Sequence, residues 1–402
     1  MSVLVLASTA LALLAVPACL YLGALAILAR RMPTVARADG PCLAVVVPAH
    51  DEEAQIEATV RSVLATEYPP AQRRVLVVAD NCTDATAARA QAAGAEILTR
   101  VDAQHRGKGF ALALAFDQLL DEGWADAVVV IDADTLVSSN LLGGFAARLQ
   151  RGAQAIQAEY GVRNVDESWR TTLMTLALAM FHRTRSLARE RLGLSCGLRG
   201  NGMCFSSALL RQVPHRASGL VEDVEYGVTL GLADVRVVYA ADVEVRGEMA
   251  ATGDAARSQR RRWEGGRLAL LRQTVPSLLR AAWQRRSAVA LDLALDQLVP
   301  PLASLSLLVI GGCGVELGLW FAQGQLSWAA GPWALAVLGL ALYGLRGVQH
   351  SGLGWRALQA LLYAPVYIAW KLGVVRVLSS RRSEAWVRTR RSGEDAKPPP
   401  PT

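Results

Sequence analysis

The stretch "ADAVVVIDADT", residues 125–135, indicates both the fold and its functional edge. Its run of alanine, valine and isoleucine predicts a buried strand, because β-branched side chains pack well in sheets. Asp132 and Asp134 follow the run at positions i and i+2. If the strand continues through them, alternation points both carboxylates to one side, where they can share a hard cation. A solvated strand end is the alternative interpretation.

Three further apolar runs precede this strand, and helical patterns separate them. The runs are "CLAVVVPAH" (42–50), "RRVLVVAD" (73–80) and "AEILT" (95–99). The first helix is expected to start at Asp51 or Glu52, and the second to end at Gly94. This alternation predicts an α/β fold with a mainly parallel sheet flanked by helices. In such sheets ligands bind beyond the carboxyl ends of the strands.

The residues that follow the four predicted strands carry the candidate chemistry. Four carboxylates and one lysine stand out: Glu52, Asp80, Lys108, Asp132 and Asp134. No GxGxxG sequence follows the first strand and no Walker-type glycine loop is present, which disfavours a dinucleotide-binding fold. Carboxylates and a lysine converging on one edge indicate a metal-bound nucleotide whose phosphates need neutralising.

Two local segments add detail to this edge. Lys108 lies in "RGKGFA" (106–111), at a predicted helix start that suits a diphosphate; a lysine on the loop surface is the alternative. "GLVEDVEYG" (219–227) places Glu222 and Asp223 at the start of a short helix. A carboxylate there can act as general base toward a hydroxyl, or both can simply cap the helix.

The composition indicates a membrane protein. The chain has 402 residues, 52% of them hydrophobic, with a mean hydropathy of +0.26. Residues 2–29 carry no charge and can cross a ~30 Å hydrocarbon core, for which about 20 helical residues suffice. A cleaved signal peptide is disfavoured, because no basic segment precedes this long run. Further apolar regions cover residues 298–322, 328–345 and 355–378.

Arginines at the flanks of these regions predict the orientation. Arg30 and Arg31 follow the first region, and Arg285 and Arg286 precede the second, so the segment between them is expected in the cytoplasm. Region 355–378 is predicted to be interfacial or re-entrant, since another crossing would place the basic tail outside. The predicted domains are a transmembrane helix (1–31), a catalytic domain (41–256), interfacial helices (257–297), two transmembrane helices (298–346), the 355–378 segment and a basic tail (379–402).

The net charge of +7 does not indicate a nucleic-acid partner. The arginines cluster beside apolar tracts, where membrane lipids with anionic headgroups account for them. The six cysteines show no CxxC pair and no metal-like spacing, which predicts reduced thiols.

The segment "SQRRRW" (258–263) lies on a predicted helix before the second membrane region. Its tryptophan ring can stack on a sugar face, while arginine and glutamine bind phosphate and hydroxyl oxygens. An amphipathic helix at the membrane surface is the alternative.

Four motifs occur in a fixed order: Asp80, Asp132-Ala133-Asp134, Glu222-Asp223 and Gln259-Arg260-Arg261-Arg262-Trp263. Because they carry these motifs in this order, residues 42–272 resemble the family 2 glycosyltransferases of the membrane-embedded, processive type. This type includes cellulose, hyaluronan and poly-N-acetylglucosamine synthases. The resemblance implies a GT-A-like nucleotide-sugar-binding domain inserted between transmembrane helices. Ala79 stands where many relatives carry another aspartate, and Val221 replaces a threonine.

The resemblance implies roles on the donor side. Asp80 would contact the base or ribose of the nucleotide, with Glu52 also on the donor side. Lys108 would contact phosphate. Asp132 and Asp134 would bind the Mg²⁺ or Mn²⁺ that bridges the diphosphate.

It also implies roles around the acceptor. Asp223 would deprotonate the acceptor hydroxyl, with Glu222 beside it. Gln259 and Arg262 would hold the donor diphosphate, and Trp263 would form the platform for the acceptor sugar.

The implied reaction is an inverting transfer from a nucleotide sugar, taken as a UDP-sugar, to a growing polysaccharide. Transfer of a single sugar to a polyprenyl phosphate or a glycolipid is the alternative. A non-catalytic scaffold is disfavoured, because the site carboxylates are intact. The few predicted spans leave room for self-association or an accessory export subunit. Topology and family together imply a bacterial inner membrane protein.

Overall fold

The computed structural model of the chain describes residues 3–217, 219, 221–249, 270–324 and 326–368. Gln259, Arg262 and Trp263 therefore lie outside the described residues, as does the segment 369–402.

The described part of the catalytic domain is built on one sheet of eight strands: β1 (Leu43–Ala49), β2 (Arg73–Asp80), β3 (Glu96–Arg100), β4 (Ala127–Val130), β5 (Thr135–Val137), β6 (Ala155–Val162), β7 (Met203–Ser206) and β8 (Val237–Gly247). Their spatial order is β3-β2-β1-β4-β7-β6-β8-β5. The β1–β2, β1–β4, β2–β3 and β6–β8 pairs are parallel, and the others are antiparallel. The predicted mostly parallel sheet is confirmed.

Helices cover the sheet and continue into a bundle: α1 (Val3–Leu28), α2 (Ile56–Leu64), α3 (Thr86–Ala92), α4 (Lys108–Glu122), α5 (Leu141–Gln150), α6 (Trp169–Leu178), α7 (Arg185–Arg191), α8 (Ser207–Gln212), α9 (Glu222–Leu232), α10 (described over 270–285), α11 (Ala288–Leu298), α12 (Leu302–Gln323), α13 (Ala330–Ser351) and α14 (Arg356–Leu362). One π-helical turn, Ala179–Thr184, joins α6 to α7. Such turns are frequent near functional sites.

The central strands are apolar because both faces of the sheet are covered. Every residue of β1 is buried. Val45 and Val47 pack with α2 and α5 on one face, while Val46 packs with α4 on the other. Two helical layers therefore hold the carboxyl ends of β1, β2 and β4 in place.

The first helix of the domain starts later than the sequence indicates. α2 begins at Ile56, not at Asp51 or Glu52. Asp51 adopts a positive φ of 55°, and its carboxylate accepts a hydrogen bond from the Thr83 amide at 2.7 Å. The backbone N–H of Glu52 donates to the Thr86 hydroxyl at 2.7 Å. The acidic stretch therefore ties the first loop to the start of α3 instead of capping α2.

Three described helices are long and apolar enough to cross a membrane: Leu4–Leu28, Leu302–Gln323 and Ala330–Ser351. α14 starts the region predicted as interfacial, and most of the second half of that region lies outside the described residues. The predicted domain limits stay predictions.

Small residues bring the first and last of these helices together. A Cβ atom on Gly23 would lie 3.0 Å from the Cα of Gly339, and one on Gly339 would collide with the backbone of Cys19. Glycine therefore permits a close approach of α1 and α13, as is common between helices in lipid.

A buried ionic cluster joins the catalytic domain to this bundle. We define it as Arg185 and Arg189 of α7, Asp292 and Asp296 of α11, and Tyr21 of α1. Arg189 donates from Nε to Asp292 at 2.8 Å and pairs through Nη2 with Asp296 at 2.7 Å. Arg185 Nη1 also donates to Asp296 at 2.7 Å, and the Tyr21 hydroxyl donates to Asp292 at 2.8 Å. The cluster therefore sets how α7 sits against α11 and α1.

Replacing Arg189 by alanine tests this junction. Removing one partner of a buried ion pair leaves uncompensated charge and costs about 3–5 kcal/mol. We therefore expect Arg189→Ala to lower the thermal midpoint of the detergent-solubilised protein strongly. Arg191→Ala, an exposed arginine at the end of the same helix, is the matched control and should leave it nearly unchanged. Equal midpoints for the two variants would contradict the assigned role.

Candidate active site

The carboxyl ends of the central strands carry two groups of polar residues. The first surrounds Asp80 at the end of β2. The second surrounds Lys108 at the start of α4, with Asp132 after β4 and Glu222 at the start of α9. The parallel order of β2, β1 and β4 places these strand ends along one edge of the sheet.

Asp80 is fully buried, and only one of its carboxylate oxygens is satisfied. Oδ1 accepts hydrogen bonds from Arg100 Nη1 at 2.7 Å and from Asn81 Nδ2 at 2.9 Å. Oδ2 has no hydrogen-bond partner among the described residues. His50 Nδ1 lies 2.7 Å from the Asp80 carbonyl oxygen. A buried oxygen without a partner costs about 1–3 kcal/mol, and a hydrogen bond from a donor group on a ligand would offset this cost.

Arg100 is a site residue that the sequence patterns do not single out. It ends β3 directly opposite Asp80 in the parallel pairing of β2 with β3. Its other amino group, Nη2, donates to Asp102 at 3.0 Å and to the His105 carbonyl at 2.7 Å. Arg100 therefore connects Asp80 to the loop before α4. The sequence did offer one signal for Arg100, which is its position at the end of a strand next to a strand that ends in an acid.

Lys108 lies at the centre of the second group. Its Nζ donates to Asp132 Oδ1 at 2.6 Å and to the Gly200 carbonyl, and it lies 3.7 Å from Glu222 Oε1. Burial lowers the pKa of Lys108, but Asp132 and Glu222 raise it by more, so the net pKa lies above its ordinary value. The ammonium is therefore the counter-ion that allows carboxylates from separate segments to gather here.

Glycine at position 200 shapes the contact between these groups. Gly200 adopts a positive φ of 79°, and a Cβ atom there would lie 3.2 Å from Asp223 Oδ2. The next residue, Asn201, is buried; its Oδ1 accepts from the Asp132 amide at 3.1 Å, and its Nδ2 donates to Thr135 at 2.8 Å. Asn201 therefore holds the turn that carries Asp132, a role that sequence reasoning missed.

The adjacent acids Glu222 and Asp223 have raised pKa values. Burial raises the pKa of Glu222 most, Lys108 lowers it and Asp223 raises it further, to about 7. Burial also raises the pKa of Asp223, against the opposing effect of Lys108. Carboxyls tuned toward neutral pH are suited to general acid–base chemistry.

An aromatic side chain lies next to this group on the side facing the helical bundle. Phe181, on the π-helical turn, is 40% exposed, and two guanidinium groups lie over its ring. Its ring centroid lies 4.6 Å from Arg199 and 4.7 Å from Arg185. Since Arg199 precedes Gly200, the turn and the acidic group are neighbours. Phe181 was not singled out from the sequence.

The structure corrects the predicted geometry of the Asp132–Asp134 pair. β4 ends at Val130, and both aspartates lie on a turn before β5, where the Thr135 amide donates to the Asp132 carbonyl at 3.2 Å. Strand alternation therefore does not orient them. Asp134 accepts from the Thr135 hydroxyl at 3.2 Å. Glu52 lies in the first loop, and its backbone contacts α3.

Comparison with protein families decides the class of this chain. The family model described as "Glycosyltransferase like family 2" matches residues 41–266. The chain belongs to this family. It is accordingly a transferase, as the motif order predicts. This match shows the family. It does not show that the chain is of the membrane-embedded, processive type.

Curated relatives lie at low identity. A β-monoglucosyldiacylglycerol synthase from Synechocystis is 27% identical over 341 residues, covering 74% of this chain and 67% of that protein. A synthase of the same name from Nostoc is 27% identical over 242 residues, covering 56% of this chain. The match spans about half the length of the Nostoc protein.

A solved structure shares the fold over nearly the whole chain. The mannosyltransferase from Pyrobaculum calidifontis, solved with GDP-mannose and Mn²⁺, has a TM-score of 0.56 at 18% identity. The match covers 92% of this chain and 98% of that one. The GT-A fold predicted for this glycosyltransferase is confirmed.

Replacing Gly200 by alanine should impair this site. Gly200 and Gly193 both have positive φ, so alanine strains the backbone at either position by about 1–2 kcal/mol. Only at Gly200 would the new Cβ press on Asp223; at Gly193 nothing lies within 4 Å. We expect both variants to lose similar thermal stability, whereas Gly200→Ala alone loses sugar-transfer activity by at least about tenfold. Equal activities of the two variants would contradict the expected contact between a Cβ atom at position 200 and Asp223.

The raised pKa of Glu222 predicts a pH-dependent stability. Because the folded-state pKa of about 7 exceeds the ordinary 4.5, the stabilising contribution of Glu222 is complete below pH 4.5 and is lost as the pH rises through 7. Glu222→Gln, measured in EDTA, should therefore lose less thermal stability than the wild type between pH 5 and pH 8. Glu225→Gln, on the same helix, is the matched control. Parallel curves for wild type and Glu222→Gln would contradict the assignment.

Proposed function

We propose that this glycosyltransferase moves a single sugar from a nucleotide-sugar donor to a lipid hydroxyl at the membrane, producing a glycolipid such as a glycosyl-diacylglycerol. The curated relatives are named as synthases of β-monoglucosyldiacylglycerol, and the Synechocystis match spans 341 residues. They favour the single-sugar alternative over the growing polysaccharide that the motif resemblance implied.

One structural observation carries the proposal. Asp223 lies against Gly200, Gly200 follows Arg199, and Arg199 stacks on Phe181 of the π-helical turn. That turn packs on the apolar bundle, because the Tyr343 hydroxyl of α13 donates to the Met180 carbonyl at 2.8 Å. The candidate base therefore lies beside the bundle, where a lipid acceptor would present its hydroxyl.

The acceptor chemistry follows from the two adjacent acids. Asp223 would take the proton from the acceptor hydroxyl as the oxygen attacks the anomeric carbon. Glu222, with its pKa near 7, would share the negative charge of the pair with Asp223. Lys108 favours the ionised forms of both carboxyl groups. Attack opposite the leaving diphosphate inverts the anomeric centre, so an α-linked donor gives a β-linked product.

The donor side would use the buried carboxylate of Asp80. Its Oδ2 can accept a hydrogen bond from the nucleotide base or ribose, since Arg100 and Asn81 already satisfy Oδ1. Lys108 would give up its hydrogen bond to Asp132 and donate to a phosphate oxygen instead. Glu52, Gln259, Arg262 and Trp263 keep the donor and acceptor roles predicted for them.

The turn after β4 fits a divalent cation. Asp132 and Asp134 offer carboxylate oxygens, the ligands that Mg²⁺ and Mn²⁺ favour, and Asn201 holds the backbone of the turn. A bound cation would stabilise the charge of the diphosphate leaving group. The Mn²⁺ in the mannosyltransferase of similar fold is consistent with this assignment.

The membrane placement belongs to the same proposal. α1, α12 and α13 would anchor the enzyme as an integral protein, and the arginines after α1 favour a cytoplasmic catalytic domain. Lipid acceptors in the inner leaflet would then reach the site without a channel.

Product size distinguishes the two transfer modes. Purified protein in nanodiscs, with Mn²⁺, diacylglycerol and radiolabelled nucleotide sugars, should form a lipid carrying one sugar, and EDTA should abolish it. Asp223→Asn should lower turnover by at least about a hundredfold while donor binding persists. Asp121→Asn, an exposed aspartate on α4, is the matched control. A long polymer that glycosidase digests would instead establish a processive synthase, the mode with which the motif at 259–263 is associated.

A further inference from the structure

A cavity lies away from the candidate active site. Its volume is about 820 Å³, and its walls include the segments that precede β6 and β8. These are the amino ends of two parallel strands, whereas Asp132 and Asp80 lie at carboxyl ends. The cavity is therefore separate from the proposed donor and acceptor sites.

The lining of the cavity has an excess of positive charge. Five arginines line it: Arg31, Arg148, Arg151, Arg183 and Arg236. Asp242 pairs with Arg148 at 2.5 Å, and Glu190 pairs with Arg236 at 2.6 Å. The third acid of the lining is Asp234, which accepts a hydrogen bond from Ser287 at 3.3 Å. Arg31 and Arg151 form no ion pair with any acid in the described ranges, so two guanidinium groups stay available.

These two guanidinium groups suit a phosphate. Arg31 and Arg151 are both exposed. Each guanidinium presents several N–H donors in a planar fork, and together they match the oxygens of a phosphate.

The cavity is placed where lipid headgroups would lie. α1 ends at Leu28, and residues 31–35 form part of the cavity wall. The Val35 amide donates to Asp242 Oδ2 at 2.9 Å, which pins this linker to β8. Arg346, near the end of α13, donates from Nε to the Ala26 carbonyl of α1 at 2.9 Å. The positive charge therefore gathers at the ends of α1 and α13 that meet the catalytic domain.

We propose that this cavity binds the phosphate of an anionic phospholipid headgroup from the leaflet that faces the catalytic domain. The inference rests on the membrane placement proposed above, and not on the sugar chemistry. The bound headgroup would hold the linker after α1 against β8 and so fix the orientation of the catalytic domain on the membrane.

Binding can be measured without turnover, so its failure is distinct from a failure of the transfer reaction. Full-length protein in neutral detergent is titrated with dihexanoyl phosphatidylglycerol, and the thermal midpoint is followed. Dihexanoyl phosphatidylcholine, whose headgroup has no net charge, and glycerol phosphate, which has no acyl chains, are titrated in parallel. Native mass spectrometry counts the lipid molecules retained.

We expect phosphatidylglycerol to give a saturable stabilisation with one lipid retained. The double variant Arg31→Gln/Arg151→Gln should weaken it at least about tenfold, and Arg151→Gln alone several-fold. Arg89→Gln, an exposed arginine on α3, is the matched control and should bind like the wild type. Arg151 is exposed, so the single variant Arg151→Gln tests the site even if the double variant is unstable.

Three outcomes would overturn the proposal. The first is the absence of a saturable shift with phosphatidylglycerol, and the second is an undiminished shift in both cavity variants. The third is glycerol phosphate binding as tightly as the lipid, which would assign the site to a soluble phosphate ester.

Discussion

The ammonium group of Lys108 is the interaction on which the candidate active site depends. It contacts Asp132 and the Gly200 carbonyl, and Glu222 lies 3.7 Å away. Lys108, Asp132, Gly200 and Glu222 come from four separate segments. The carboxylates of Asp132, Glu222 and the adjacent Asp223 would repel one another without a counter-ion. Lys108 therefore fixes the position of the acidic helix start relative to the turn that carries Asp132. A bound diphosphate and its cation would offer new partners to the Lys108 ammonium and to the carboxylates around it. The hydrogen bonds of this site can therefore change when the donor binds.

The buried ionic cluster has the corresponding role at the junction with the apolar bundle. Arg189 and Arg185 of α7 are paired with acids of α11, and Tyr21 of α1 joins them. Since α7 continues from the π-helical turn that carries Phe181, the cluster, the turn and the acidic group form one connected path. For the lipid acceptor proposed above, this path would hold the candidate base, Asp223, at a set distance from the acceptor layer.

Local patterns were sufficient for the residues at strand ends and helix starts. Asp80, Asp132 and Glu222 were predicted, since each follows an apolar run or begins a helix whose pattern is visible in the chain. Their partners were not. Arg100, Asn201 and Arg199 lie in loops or at a strand end, and no periodicity marks them. The strand geometry expected for Asp132 and Asp134 was wrong, because β4 ends at Val130 and the chain turns at residues 133–134 before β5.

The sequence by itself determined the α/β class, the apolar helices, the family and the strand ends that carry acids, because all of these depend on residue type and spacing along the chain. Only the tertiary structure decided which charges meet. Arg189 and Asp292 are 103 positions apart, and Lys108 and Gly200 are 92 apart. Such pairs depend on how helices and strands pack across the sheet, and the same packing creates the arginine-lined cavity beside α1. Spacing along a chain encodes local conformation, whereas a site is a property of distances in space.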